Sequence, residues 1–357
     1  LDLGKEEERN KHCKWWPESD KKKFEDQFNL KHLNEADKRS MLELLWKFRG
    51  VFYNPSHPEV LRQPVRVKPI DVKLMDGMRP KNARMRTMSK EKEEYMRQHI
   101  ETLLKQGVLE ELASVDGCII SPAHIVIEER YIASQKKTII KTRFVVDLRN
   151  VNECLEDYAW PLPLMEDFRR KLSTGYTIFS TCDAVSWFFQ LPYTRGASKL
   201  ACVFFMQKFY SFKRMCMGLK SSPGQAQRQG ELMYRCHPNV FPYLDDFTVR
   251  SKTMKEHLEV DLPLYLAITS FYNIKLKGEK SDLAVTSCRI LGHEVSESAL
   301  ALTGEKVKKI KELQFPRDKK QLISALAFFS YFLLLSPRLA EMLAPLRQFG
   351  VAHKRYV

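Results

Sequence analysis

Two spacings of apolar residues run along the chain. Met41, Leu42, Leu44, Leu45 and Phe48 recur at helical intervals and predict a short amphipathic helix ending near Gly50. Met96, Ile100, Leu103 and Leu104 do the same behind Ser89, a capping residue, until Gly107 stops the helix. Between and beyond them lie runs suited to strands: Cys118-Ile119-Ile120, His124 to Ile127, Arg143 to Asp147, Thr177 to Asp183 and Ala201 to Phe205. Ser222 to Tyr234 reads as a helix, Phe241 to Val249 as a hairpin, and Lys255 to Thr269 as a helix kinked at Pro263. Past Val295 the pattern turns helical and basic, with Glu305 to Lys311 followed by a greasy helix. The first 30 residues show no period and read as an arm, and residues 54–88 as an extended connector. No internal repeat interrupts this order, which predicts an α+β body with a helical appendage.

Composition narrows the function classes. At 357 residues and 44% hydrophobic content the chain can bury one large core or two to three smaller ones. Lys and Arg outnumber Asp and Glu by 59 to 44, a net charge of +15, which points to a polyanionic partner, nucleic acid first and an anionic membrane surface second. Eight scattered cysteines without a Cys-x-x-Cys pair argue against a zinc module and suggest reduced thiols. No apolar leader opens the chain, so an intracellular location, in the cytoplasm, the nucleus or the interior of an organelle, is expected. The longest apolar stretch, Leu322 to Leu335, is shorter than the roughly 20 residues a spanning helix needs, so no membrane role is expected.

Phe241-Pro242-Tyr243-Leu244-Asp245-Asp246-Phe247-Thr248-Val249 sets two adjacent carboxylates in an apolar run. A strand there buries at least one of them unless the pair sits at a turn. An ordinary hairpin tip accounts for the pair, since Asp tolerates turn geometry. So does a divalent cation that offsets their repulsion. Asp183, at the end of a predicted strand, supplies a third carboxylate, and three such groups make a hard-oxygen site suited to Mg²⁺ or Mn²⁺. In a basic protein the simplest use of such a site is phosphoryl transfer on a nucleotide.

From about residue 33 to 347 the chain resembles the reverse transcriptase of gypsy-type LTR retrotransposons. The resemblance rests on ordered motifs: Leu33-Asn34-Glu35 through Phe52; Gly107-Val108-Leu109-Glu110-Glu111 with Ser121-Pro122; and Arg143 to Asn152 with Tyr158 and Pro161-Leu162-Pro163. Phe179 to Pro192, Met217 to Pro223 with Gln227, and Tyr243-Leu244-Asp245-Asp246 follow. The series ends with Leu276 to Lys280, Leu291-Gly292-His293, and a thumb-like Glu305-Lys306-Val307 to Leu346. It implies a right-hand polymerase fold, with fingers and palm on antiparallel sheets and a helical thumb. The expected layout is an arm at 1–32, fingers with the first part of the palm at 33–175, palm at 176–296 with a fingers segment near 193–215, and thumb at 297–357.

The resemblance also implies roles. Asp183, Asp245 and Asp246 hold two Mg²⁺ or Mn²⁺ ions, and Lys280 protonates the pyrophosphate leaving group. Phe188 excludes a 2′-hydroxyl. Arg143, with Lys136 or Lys137, contacts the triphosphate, while Met217 belongs to the template and nucleotide helix and Gln227 and Arg149 touch the template. The implied partners are an RNA template, a DNA or RNA primer and deoxynucleoside triphosphates.

Three departures stand out. Trp187 replaces a small residue and is expected to crowd the nucleotide pocket. Pro242 is expected to remove a ladder donor. Leu333 and Leu334 replace basic residues and suggest a protein partner. No ribonuclease H domain is expected after the thumb. The alternative is a domesticated, inactive relative that binds RNA or serves a larger assembly.

Overall fold

The computed structural model describes residues 13–84, 87–132, 137–163, 175–290, 293–296, 300–302, 304–330, 332 and 337–351. The chain forms two compact units, residues 1–162 with 179–285, and residues 163–178 with 286–357.

The first unit opens with the arm, which packs on its own body. Trp16 and Phe24 are fully buried, and Phe24 meets Trp16, Trp46 and Phe52 edge to face at 5.2–5.6 Å. Trp16 Nε1 donates to the Phe52 carbonyl at 2.8 Å, so the indole is buried with its polar atom satisfied. Phe24 and Phe28 each contribute about 1.5–3 kcal/mol by leaving water. His32 Nε2 donates to the Leu283 carbonyl at 3.0 Å, tying the arm to the far end of the unit's sequence. Helix α1 (Glu35–Lys47) starts where Asn34 accepts from Asp37 N, and it buries Met41 and Leu45. Helix α2 (Lys90–Lys105) is capped by Ser89, buries Met96, Ile100 and Leu103, and ends before Gly107, whose φ of +66° suits glycine alone.

Two sheets and a ribbon follow. Strands β1 (Leu109–Glu111), β2 (Ile120–Ser121), β6 (Cys202–Phe205) and β7 (Lys208–Phe212) form a sheet ordered β1-β7-β6-β2, antiparallel except for the β2–β6 pair. Strands β3 (Ala123–Ile132) and β4 (Lys137–Val146) make a separate antiparallel ribbon in register from Ala123↔Val146 to Ile132↔Lys137. The central sheet, ordered β10-β5-β9-β8, joins β5 (Ile178–Ala184), β8 (Val240–Tyr243), β9 (Asp246–Ser251) and β10 (Leu276–Val285). Phe179, Phe247 and Val249 from this sheet are wholly buried beneath α3 (Ser222–Tyr234) and α4 (Leu262–Phe271). Tyr234 and Thr269 link those helices, oxygen to oxygen, at 2.7 Å.

The helix predicted over 255–269 is interrupted. Residues His257–Asp261 form a π turn, and Pro263 falls in the first turn of α4, where a missing N–H costs nothing. The π turn aims His257 into the sheet. Ala284 N donates to Ser180 Oγ, Ser180 Oγ to His257 Nε2, His257 Nδ1 to Ser251 Oγ, and Ser251 Oγ to Asp261 Oδ2. Every member of this chain is buried, and burial holds the imidazole pKa down at about 4. The network stitches β5, β9, β10 and the π turn together beneath the sheet.

The second unit holds a three-stranded antiparallel sheet, β11 (Ser287–Ile290), β12 (His293–Ser296) and β13 (Leu300–Leu302), with helices α5 (Gly304–Lys311), α6 (Lys319–Ser330) and α7 (Pro337–Val351). The contacts of residues 286–296 group them with the C-terminal helices. Among the described residues seven cysteines are free, and no helix is long and apolar enough to cross a membrane.

Candidate active site

Asp183 lies near the end of β5, directly opposite Lys277 of β10. The chain then turns sharply. Val185 N donates to the Lys275 carbonyl, Ser186 adopts a left-handed φ of +45°, and a single helical turn spans Trp187–Gln190. Gln190 is buried and fixes this turn, donating to the carbonyls of Val185 and Lys275 and accepting from Lys275 N at 2.8 Å.

The second part of the site is the β8–β9 hairpin. Tyr243 pairs with Asp246, which leaves Leu244 and Asp245 as a two-residue loop. Leu244 has a φ of +51°, the type II′ pattern, which costs a branched residue of order 1–3 kcal/mol and persists only where surroundings impose it. Gln227 of α3 imposes it: its Oε1 accepts from Leu244 N at 2.9 Å and its Nε2 donates to the Pro242 carbonyl at 2.9 Å. Ala184 N donates to the Asp245 carbonyl at 2.8 Å, which locks the loop beside Asp183. Because the Pro242 carbonyl points off the ladder, toward α3, its missing N–H faces the outer edge of β8. The expected loss of a ladder bond therefore does not occur.

Asp183, Asp245 and Asp246 lie near enough at one end of the inner strands for their charges to act on one another. Burial, and then the charge of Asp183, pushes Asp245 above the usual carboxylate range. Burial, Asp245 and Asp183 push Asp246 up to about 6. Two ammonium groups oppose this. Lys280 Nζ lies 3.8 Å from Asp183 Oδ2, and Lys277 Nζ lies 2.7 Å from Asp183 Oδ1. The Lys277 contact is an ion pair out of line for hydrogen bonding, and Asp183 Oδ1 is buried without a hydrogen-bond donor. Among the described residues no three or more His, Cys, Asp or Glu are placed together so that they could hold a metal ion. By donor chemistry these carboxylates fit Mg²⁺ or Mn²⁺, which take one or two carboxylates and complete their shell with substrate phosphate and water, while Asp183 Oδ1 already faces the Lys277 ammonium.

Residues 134–295 match a family model described as "Reverse transcriptase (RNA-dependent DNA polymerase)". The chain is similar to a putative enzymatic polyprotein of Cassava vein mosaic virus, 26% identical over 70% of this chain and 38% of the relative. It is also similar to the retrovirus-related Pol polyprotein from transposon 297 of Drosophila melanogaster, 24% identical over 92% of this chain and 30% of the relative. The chain therefore spans well under half of either relative. Among solved structures, a foamy viral protease-reverse transcriptase in complex with double-stranded DNA superposes with a TM-score of 0.75 at 23% identity, covering 92% of this chain and 54% of that one. The same foamy viral protein with an RNA/DNA hybrid gives 0.73 at 21% identity, covering 94% and 43%. The fold is the right-hand α+β architecture of those structures.

The expected residues divide. Phe188 is half-buried on the turn after Asp183, and Met217 is exposed ahead of α3 beside Gly218, whose φ is +109°. Arg143 sits on the β3–β4 ribbon with Nη2 3.1 Å from Glu128. Arg149 is exposed and forks onto Asp147 at 2.7 and 2.8 Å. Lys137 opens β4, while Lys136, Leu333 and Leu334 lie outside the described residues.

Two expectations are corrected. Gln227 is wholly buried and bonded to the hairpin, so it positions the carboxylates and does not reach a template. Trp187 is 1% exposed and meets Phe247 edge to face at 5.4 Å, so the ring packs in the core although its buried Nε1 finds no hydrogen-bond partner. It underlies the hairpin and does not crowd the nucleotide. Sequence reading missed Gln190, His257 and Lys277. For Gln190 the signal was a polar residue inside Phe188-Phe189-Gln190-Leu191, and for Lys277 only the strand register reveals its facing partner.

Proposed function

We propose that this chain is the fingers, palm and thumb of a retroelement RNA-directed DNA polymerase, joining deoxynucleotides to a primer 3′-hydroxyl along an RNA template. The observation that carries the reading is the locking of the Asp245–Asp246 loop beside Asp183 through the Ala184–Asp245 backbone bond. Asp183, Asp245 and Asp246 are the residues that would hold the metal. Mg²⁺ or Mn²⁺, when bound there, lowers the pKa of the attacking hydroxyl and neutralises the triphosphate. Phe188, partly exposed five residues after Asp183, packs against the sugar and disfavours a 2′-hydroxyl. Lys280, with its ammonium beside Asp183, protonates the leaving pyrophosphate. Arg143 with Lys136 and Lys137 binds the triphosphate, where the Arg fork suits phosphate oxygens, and Arg149 contacts the template. The net charge of +15 suits the nucleic-acid partners.

A second reading, an inactive relative that binds RNA, is favoured by one observation: the Lys277 ammonium stands against Asp183. Primer extension on a homopolymer template with Mg²⁺ or Mn²⁺, beside an Asp245→Asn control, separates the two. Incorporation that disappears in the control is expected. Template binding without incorporation favours the second reading, and incorporation that survives Asp245→Asn overturns the site assignment.

A further inference from the structure

Lys277 has no part in the chemistry described above, yet it makes the shorter of the two ammonium contacts to Asp183. Its place is built into the fold. Lys277 and Asp183 are directly opposed in the β10–β5 ladder, and opposed residues of an antiparallel pair project from the same face with Cβ atoms roughly 5 Å apart. The register irregularity of β10 begins after Lys277, and the backbone on both sides of Lys277 is held by other parts of the fold. The next residue, Gly278, lies under the arm so closely that a Cβ there would come within 2.8 Å of Gln27 Oε1 and 3.1 Å of the Phe28 ring. On the other side, Lys275 is held by Gln190, and its own Nζ donates to the Gly50 carbonyl. Only the side chain of Lys277 is free to move. Its four-carbon stem ends in a compact charge and remains 27% exposed, so a route to solvent exists.

We propose that Lys277 is a tethered cation that competes with the divalent metal for Asp183, so that metal enters only as this ammonium swings out. The inference rests on the metal-site reading of Asp183, Asp245 and Asp246. With both lysines in place the cluster carries three negative and two positive charges. An incoming cation therefore meets a small residual charge and an oxygen already occupied. Lys280 lies farther from Asp183 and is more exposed, at 56%, so it obstructs less. No covalent bond of the protein is made or broken in the exchange; one ammonium leaves the carboxylate for solvent, and one divalent ion takes its place by giving up a bound water for the carboxylate oxygen.

The test is a Mn²⁺ titration of the full chain without nucleic acid, followed by the electron paramagnetic resonance signal of free Mn²⁺. The parent, Lys277→Gln, Lys280→Gln and Asp183→Asn proteins are compared. Lys277→Gln is expected to bind its first Mn²⁺ about tenfold or more tightly than the parent, as loss of a contacting like charge requires, with a smaller gain for Lys280→Gln and a loss for Asp183→Asn. Equal or weaker binding by Lys277→Gln, with Asp183→Asn still impaired, overturns the role of Lys277 and leaves the metal site standing. Absence of binding by parent and Lys277→Gln alike overturns the metal-site reading, and this inference with it. A second measurement needs no mutation: acylation of the Lys277 amine in the parent, read by mass spectrometry, is expected to rise several-fold when Mn²⁺ is added. An unchanged rate overturns the proposal.

Discussion

Asp246 should destabilise the metal-free protein in a way that depends on pH. Its carboxyl is raised from 3.8 to about 6 by burial and by the charges of Asp245 and Asp183. Between those values the folded state holds a proton that the unfolded state has released, so stability falls as pH rises through the window. The penalty works out at about 1 kcal/mol at pH 4.5 and about 3 kcal/mol at pH 8, from 1.36 kcal/mol per unit. Asp246→Asn keeps the side chain's shape and removes the charge. Urea unfolding in the presence of a chelator should therefore find Asp246→Asn more stable than the parent by about 1 kcal/mol at pH 4.5 and about 3 kcal/mol at pH 8. His257, depressed to about 4, loses stability as pH falls, the opposite direction, but it is common to both proteins and cancels in the difference. Adding Mn²⁺ should raise the parent's stability by mass action and leave Asp246→Asn nearly unmoved. A stability difference that is the same at both pH values, or a variant less stable at pH 8, would refute the electrostatic account of the site.

Gln227→Ala strands the Leu244 N–H and the Pro242 carbonyl, and at about 1–3 kcal/mol for each unsatisfied group it should lower unfolding free energy by about 2–6 kcal/mol. Hydrogen exchange of the Leu244 amide should rise sharply in the same variant. Trp187→Ala should cost about 3–5 kcal/mol in denaturant unfolding without improving the Michaelis constant for nucleotide, since the ring lies in the core; a gain in nucleotide affinity at unchanged stability would contradict its placement. Phe188→Val should raise ribonucleotide incorporation relative to deoxynucleotide incorporation in primer extension, and an unchanged ratio would remove Phe188 from the sugar pocket.

Local features were the legible ones. Ser89 and Gly107 bracket α2 because a cap and a left-handed stop act within one turn of their own position. The carboxylate hairpin was readable because charge inside an apolar run is costly wherever it occurs. What escaped depends on pairing across the chain. Lys277 and Lys280 are equivalent in the sequence, and only the β10–β5 register selects the one opposite Asp183. Gln227 looked like a surface contact because a buried Gln is identified by its partners, here two backbone groups 15 and 17 residues away. Trp187 was misread for the same reason, since neither period nor composition tells which way a ring turns after a left-handed residue such as Ser186. The π turn at 257–261 broke a helical period that Pro263 seemed to explain alone.

The packing of Phe28 over Gly278 bears on how the molecule can be shortened. Charge patterning suggests a cut near residue 33, but that cut removes Trp16, Phe24 and Phe28, strips the cover from Phe52, and frees the backbone beside Lys277. A minimal fragment for biophysical work should therefore begin no later than Trp15, whose carbonyl anchors Asn54.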